Sequence, residues 1–313
     1  MRAVVTGVAG FIGSTLAQRL LDDGAEVIGV DAFTPYYEPE VKRRTAAQLG
    51  HERFRLIEAD LAMAALEPLL DGADVVFHLA GQPGVRLSWG EGFTGYASAN
   101  VVATERVLSV ARAVGVSRVV YASSSSVYGE QIAYPVSERA LPRPHSPYGV
   151  SKLAGEHLCA AYADNFGLST VSLRLFTVYG PRQRPDMAFT KFIRAALSGD
   201  VVTVNGSGDQ VRDFTFVDDV VEAFVSAATA NVAPGSVFNV AGGSSATVRQ
   251  TIDLISGLVG PVEVVYGDHA PGDVARTGAL IDRARDSLGW APRIPLPEGL
   301  ARQVTWMSDG SRR

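Results

Sequence analysis

The chain opens Met1-Arg2-Ala3-Val4-Val5-Thr6 and runs at once into Gly7-Val8-Ala9-Gly10-Phe11-Ile12-Gly13. A short apolar run is followed by glycines at every third position. Then comes Phe11–Asp22, in which Leu16, Leu20 and Leu21 recur at helical spacing. Few folds begin with strand, glycine turn and helix in immediate succession. Glycine allows the sharp turn and lets backbone N–H groups approach a bound pyrophosphate. The helix N-terminus adds the positive end of its dipole. Gly7, Gly10, Phe11, Ile12 and Gly13 are therefore candidates for holding a dinucleotide, although the spacing is G-x-x-G-x-x-G and not G-x-G-x-x-G.

The same alternation continues. Glu26–Val30, Phe54–Glu58, Val75–Leu79, Val119–Ser123 and Thr170–Arg174 read as strands, and Val101–Val114 and Val150–Phe166 as helices. Runs such as Val75-Val76-Phe77 are apolar on both sides, as in strands covered twice. The expected fold is α/β, a doubly wound parallel sheet with helices on both faces. After about residue 176 the texture changes, with Pro181, Pro185, Gly199, Gly206 and Gly208. A second, smaller, discontinuous lobe is expected. The first domain then covers 1–176 plus about 212–242, and the second about 177–211 plus 243–307. A helix is expected at Pro297–Met307 and a frayed polar tail at 308–313.

Asp31 ends the second strand, 18 residues after Gly13. A carboxylate there accepts the ribose hydroxyls of adenosine and repels a 2′-phosphate, which favours NAD over NADP. Asp60-Leu61 closes the third strand near the adenine position, where Asp60 is equally readable as a helix N-cap. Leu79-Ala80-Gly81-Gln82 closes the fourth, and its small residues let the cofactor pass close to the backbone.

Composition excludes other classes. The 313 residues are 47% hydrophobic with a formal net charge of −5, without the basic stripe of a nucleic-acid binder. Cys159 is the one cysteine, so no internal disulfide can form and a reducing compartment is expected. The N-terminus lacks the apolar region of a secretory signal, and no apolar run approaches the ~20 residues of a membrane span. The expectation is a soluble cytoplasmic protein. His51, His78, His145, His157 and His269 have no metal-ligand spacing, so no metal is expected.

Tyr148 and Lys152 form Tyr-x-x-x-Lys, one helical turn apart on one face. Ser146-Pro147 before them reads as an N-cap followed by proline at the first helical position. The lysine and the helix dipole would both favour phenolate, making Tyr148 a base nearer neutrality.

With these residues in place, the chain resembles the extended short-chain dehydrogenase/reductase family. Within it, the NAD-dependent nucleotide-sugar epimerases and dehydratases are most similar, which implies a Rossmann-type fold. The similarity spans nearly the whole chain: TGVAGFIG, Asp31, HLAGQPGVR (78–86), ASSSSVYG (122–129), SPYGVSK (146–152), YGPRQRP (179–185) and RDFTFVDDV (212–220). The resemblance implies Ser124 as the hydroxyl beside the sugar O4, Tyr148 as the base and Lys152 as its partner. Family dehydratases carry Asp and Glu where Ser125 and Ser126 stand, and decarboxylases carry Glu at Ser126. Neither serine can act as an acid or base near pH 7, so dehydration and decarboxylation are disfavoured and 4-epimerisation is expected.

Many relatives carry Asn where this chain has Thr177, a shorter side chain that leaves space. Arg184 would then reach the C6 end of the sugar, or alternatively the nucleotide phosphates. HLAGQPGVRLSW and RQRPDMAF are most similar to UDP-glucuronate 4-epimerases, which implies UDP-glucuronate as substrate, with Ser125, Ser126, Thr177 and Arg184 holding its carboxylate. UDP-glucose or its N-acetyl derivative is the alternative. The resemblance also assigns Arg212 to the diphosphate and Asp273 to the nucleotide. Relatives often carry Arg at the position of Ala270, and Arg276 is the candidate substitute. Arg86 faces the substrate phosphates or solvent. Helices 101–114 and 150–166 have broad apolar faces, which pack on the sheet or, as in relatives, form a homodimer. A non-enzymatic NAD sensor is disfavoured, since Ser124, Tyr148 and Lys152 are all present.

Overall fold

The computed structural model describes residues 1–268 and 272–310. Seven strands form one sheet: β1 (Arg2–Thr6), β2 (Glu26–Asp31), β3 (Phe54–Glu58), β4 (Val75–His78), β5 (Arg118–Ser124), β6 (Thr170–Leu175) and β7 (Ser236–Val240). Their order is β7-β6-β5-β4-β1-β2-β3, and every neighbouring pair is parallel. The chain winds outward from β1 to β3, then returns to β4 on the other side of β1. Such a reversal opens a crevice at the carboxyl ends of β1 and β4, where α/β sheets bind ligands.

Side-chain alternation explains why both faces are apolar. Ala3, Val5, Val27, Phe77 and Val120 pack with Leu16 and Leu20 of helix Phe11–Asp22 and with Val220 and Phe224 of helix Val217–Thr229. Their neighbours Val4, Ile28, Val76, Val119 and Tyr121 pack on the other face with Val107 and Leu108 of helix Ala103–Ala113 and Cys159 of helix Pro147–Phe166.

Strand and helix positions agree with the sequence reading to within a few residues. The expected helix 150–166 starts at Pro147, because Ser146 caps it: its Oγ accepts the Gly149 N–H at 3.1 Å. It stops at Gly167, in the left-handed conformation with φ 69°. The expected helix 101–114 is Ala103–Ala113 preceded by a π-helical turn, Ser98–Val102. The last helix is longer than expected, Leu296–Gly310, so residues 308–310 continue it; residues 311–313 lie outside the described residues.

A third core joins Tyr179, Phe189, Ile193, Val204, Phe214, Phe216, Ile252 and Leu300. Helices Ala188–Ser198, Val248–Val259 and Leu296–Gly310 supply much of it. Two segments cross the expected lobe boundary. Phe214 and Phe216 pack in this third core, whereas Ala284, Leu288 and Trp290 pack against the large sheet. Among the described residues, no helix is long and apolar enough to cross a membrane.

Asp219 fastens the C-terminal segment to helix Val217–Thr229. Its carboxylate accepts the N–H groups of Arg293 and Ile294, each at 3.0 Å, and its carbonyl accepts Trp290 Nε1 at 2.8 Å. Hydrogen bonds to a charged group contribute more than neutral ones. Asp219→Ala should therefore lower the unfolding free energy by about 2–4 kcal/mol, read from the shift in urea midpoint.

Candidate active site

The crevice is a cavity of about 430 Å³ lined by residues from both sides of the sheet reversal. Its floor needs glycine. Gly7 has φ 70°, and a Cβ there would lie 2.8 Å from the Ala80 nitrogen; a Cβ on Gly13 would lie within 2.2 Å of the Gly7 carbonyl oxygen. Helix Phe11–Asp22 starts from Gly10 with no side-chain cap. The first N–H groups of a helix have no partner within it, so this end is suited to an anion. Asp31 stands at the rim. Its carboxylate is oriented by the N–H groups of Ala9 (3.0 Å) and Phe33 (2.8 Å). Asp60 lines the cavity, and its Oδ1 accepts the Ala62 N–H at 2.9 Å; it caps a turn and not a helix, because the next helix starts only at Glu67 with Leu66 before it.

The cavity is also lined by Gly10, Phe11, Ile12, Leu61, Leu79, Ala80, Gln82, Tyr148 and Lys152. All the residues expected at a dinucleotide site thus converge. A glycine floor, an uncapped helix N-terminus and an acidic rim fit NAD.

Among the lining residues that escaped the sequence reading are Tyr36, Tyr37 and Lys42. Lys42 Nζ donates to the Thr34 carbonyl at 2.9 Å and lies 4.9 Å from the Tyr37 ring centroid. The signal was present in Tyr36-Tyr37-Glu38-Pro39. Two adjacent aromatics precede a helix that starts at Pro39, so they sit in the loop that leaves β2 over the cavity.

At the chemical end, Tyr148 and Lys152 occupy the first turns of helix Pro147–Phe166. Lys152 Nζ donates to the Ala122 carbonyl at 2.9 Å and sits 5.1 Å from the Tyr121 ring centroid. Burial lowers its pKa to about 8. Tyr148 differs from the expectation that its surroundings favour phenolate: burial pushes it above its ordinary value. A hydrogen bond with Ser124 and the charge of Arg184 pull the other way. Desolvation disfavours a buried phenolate more than one helix turn's dipole helps it. Asn100, in the π-helical turn, ties the end of β4 to this helix. Its amide exchanges hydrogen bonds with the backbone of Gln82 and donates to Ser151 Oγ at 2.9 Å.

The serine run divides. Ser123 and Ser124 end β5; Ser125 and Ser126 form the 3₁₀ turn that follows. Ser124 Oγ accepts the Ser126 N–H at 3.2 Å. Ser123 lines the cavity beside Tyr148 and Lys152, and its hydroxyl donates to Glu156. Thr177 follows β6, its carbonyl accepting the Thr215 N–H at 3.1 Å. Arg184 lines the cavity, but its guanidinium is committed two-fold to Asp186, Nε at 3.0 Å and Nη2 at 2.9 Å, and lies 5.6 Å from the Tyr36 ring centroid.

A second cluster joins Arg86, Arg212 and Asp273. Arg86 pairs with Asp273 at 3.3 Å. With its amide oriented to satisfy both partners, Asn205 accepts from the two Arg86 terminal nitrogens at 2.7 Å. Arg212 is buried enough that desolvation lowers its pKa, and the charge of Asp273 opposes this. Arg276 stacks over Tyr134, 5.6 Å from the ring centroid. Ala270 and His269 lie outside the described residues. Among those described, no group of histidine, cysteine and acidic side chains is placed to hold a metal.

Residues 3–241 match the family described as "NAD dependent epimerase/dehydratase family". The chain belongs to this family. Among curated members, a UDP-glucose 4-epimerase of Mycolicibacterium smegmatis is 39% identical over the full length of both chains. A probable UDP-glucuronate 4-epimerase of Rhizobium meliloti is 36% identical over 100% of this chain and 98% of its own. A crystal structure of UDP-glucuronic acid 4-epimerase from Bacillus cereus in complex with UDP-glucuronic acid and NAD superimposes with a TM-score of 0.95, at 39% identity over 99% of each chain.

His78, at the end of β4, is unlike the reacting groups. It is buried between Thr6 Oγ1 (2.8 Å) and Thr104 Oγ1 (3.0 Å), and burial holds its pKa down at about 3. The unfolded chain therefore binds a proton there from about pH 6.5 downward, while the folded chain does not until about pH 3. The stability from this residue is present above pH 6.5 and is lost as pH falls. About 2 kcal/mol should disappear between pH 7 and 5. In His78→Gln, urea titrations at the two pH values should differ by correspondingly less.

Proposed function

We propose that the chain is an NAD-dependent UDP-sugar 4-epimerase that interconverts UDP-glucuronate and UDP-galacturonate. The observation that carries this reading is the pairing of Ser124 with Tyr148 beside a turn, Ser125–Val127, that presents hydroxyls and no carboxylate. Such a site can move one proton at one sugar hydroxyl. It has no acid–base pair for removing water across C5–C6.

The glycine floor, the helix N-terminus and Asp31 would hold NAD, which would supply reversible hydride transfer at the sugar C4. In its phenolate form, which burial opposes but the Ser124 hydrogen bond and the Lys152 charge favour, Tyr148 Oη accepts the C4 hydroxyl proton while Ser124 Oγ orients that hydroxyl. Lys152 places its positive charge one helical turn behind the phenol. Tyr148 Oη gives the same proton back to the C4 oxygen of the turned sugar, so no net proton is consumed. Enclosure of the reacting groups fixes their geometry and limits water.

Arg86 and Arg212 hold the diphosphate and Asp273 another part of the nucleotide in this reading, which leaves the sugar free to rotate about a fixed anchor. Ser125, Ser126 and Thr177 hold the uronate carboxylate away from the geometry in which a 4-keto acid loses CO₂, and Arg184 completes the clamp by exchanging part of its bond to Asp186. The second reading, a neutral UDP-hexose substrate, is favoured by that same Arg184–Asp186 pair, which already fills the guanidinium fork. The active species is a cytoplasmic homodimer, supported by exposed Val102 and Val150 on adjoining helices; a monomer in sedimentation would count against it.

NMR of the products from UDP-glucuronate, UDP-glucose and UDP-N-acetylglucosamine tests the reading. UDP-galacturonate without UDP-pentose supports it; a UDP-pentose or a 6-deoxy-4-keto sugar overturns it. Tyr148→Phe should lower kcat by about 100-fold or more with little change in KM. Arg184→Ala should reduce uronate turnover more than neutral-hexose turnover, and equal losses would remove Arg184 from the clamp.

A further inference from the structure

Behind the catalytic pair lies a buried charged network that the reaction as described does not use. The Ser123 hydroxyl donates to Glu156 Oε1. Arg174, on β6, grips the same carboxylate through Nε (2.9 Å to Oε1) and Nη2 (2.7 Å to Oε2). Its Nη1 donates to Tyr128 Oη at 2.8 Å, which donates to Asn239 Oδ1 at 2.7 Å. Ser123, Glu156, Arg174, Tyr128 and Asn239 are all at most 5% exposed. The network links the catalytic helix, the ends of β5 and β6, the turn after β5, and β7.

An ion pair this deep is a poor way to stabilise a fold, because desolvating two charges offsets most of their attraction. Its placement suggests another use. Glu156 lies four residues after Lys152, on the same face of the helix. Ser123 directly precedes Ser124, the hydroxyl that meets Tyr148. We propose that Glu156 and Arg174 are positioning residues: through Ser123 they fix where the end of β5 presents Ser124 to Tyr148, and as a neutral pair they keep Lys152 cationic.

The groups facing Lys152 make the second part specific. Its own helix supplies Tyr148, Glu156 and Cys159; β5 supplies the Tyr121 ring and the Ala122 carbonyl; β4 supplies His78, neutral at working pH; β6 supplies Arg174 beyond Glu156. Burial lowers the Lys152 pKa, and the Cys159 and Glu156 charges oppose it. Because burial also keeps Cys159 a thiol at working pH, with its pKa up at about 12, Glu156 is the group there that carries negative charge. Neutralising it would leave the Arg174 guanidinium as an unbalanced buried cation behind a second cation.

The inference rests on the epimerase reading only in taking charged Lys152 as the active form, and one measurement is independent of any substrate. The chain has three lysines, Lys42, Lys152 and Lys191, so the titration of Lys152 can be followed by NMR on protein carrying 15N-lysine. In Glu156→Gln its midpoint should fall by about 1 pH unit, and the basic limb of the kcat profile should move to lower pH by the same amount. In Glu156→Gln/Arg174→Gln, which removes both charges, both should return towards the wild-type position even if the melting temperature drops. Ser123→Ala keeps the charges, so it should leave the limb in place while lowering kcat about 10-fold at unchanged KM. A folded Glu156→Gln protein with an unmoved Lys152 midpoint would overturn the electrostatic role, as would a double variant that keeps the shift. Should Glu156→Gln fail to fold, wild-type kcat in Ser123→Ala would overturn the positioning role. Wild-type protein that turns over no UDP-sugar, with the Lys152 midpoint still shifted in Glu156→Gln, would instead count against the epimerase reading alone.

Discussion

A hydrogen bond from the Lys152 ammonium to the Ala122 carbonyl, at 2.9 Å, ties together the two halves of the chemical site. A buried ammonium without such a partner would be too costly to keep charged. The carbonyl is available because β5 is near its end, where the sheet no longer consumes every acceptor. The lysine reaches it because Ser146 starts the helix at Pro147 and so sets the rotation of every later residue. Strand end and helix start must therefore be in register before Tyr148 can face Ser124. The close approach of Gly155 to Tyr121, where a Cβ would come within 2.2 Å of the phenol oxygen, shows how tightly the helix is seated on that strand.

The rest of the molecule is arranged around the same edge. The reversal between β1 and β4 opens the crevice, and the segments after β5 and β6 carry the residues that meet the sugar in the proposed complex. The third core holds the loop of Tyr179–Met187 over the crevice from the other side. Gln183 anchors that loop: its side chain accepts the Thr190 N–H at 3.0 Å and the Gln303 amide at 2.9 Å from the last helix. A contact far from the cavity thereby fixes where Arg184 stands.

Much of this was legible in the sequence, and for identifiable reasons. The glycine turn, Asp31 and the small residues after β4 depend on backbone geometry and local spacing, which a sequence carries directly. Ser146-Pro147 announced its helix because capping is local. What escaped depends on contacts between distant segments. Tyr36, Tyr37 and Lys42 acquire their place only when the loop after β2 folds over the crevice. Ser123 could not be separated from its neighbours until Glu156 and Arg174, 33 and 18 residues apart from their partners in sequence, were brought together. The carboxylate committed to Arg184 is Asp186, two residues away; its proximity was readable, but its effect on the guanidinium fork was not. The direction of the Tyr148 shift was misjudged for a related reason, since burial is a property of the assembled site.

The helix that begins at Gly10 without a side-chain cap has a thermodynamic consequence. An anion seated on its first turn completes hydrogen bonding that the chain leaves to others, and so binds the folded state in preference to the unfolded one. Any such ligand adds RT ln(1 + [L]/Kd) to stability, about 4 kcal/mol at a thousand times its dissociation constant. The dinucleotide is thus a structural member of the domain as well as a reagent. Retention of the cofactor, resistance to unfolding and resistance to proteolysis become a single linked quantity, set by how much free dinucleotide surrounds the protein.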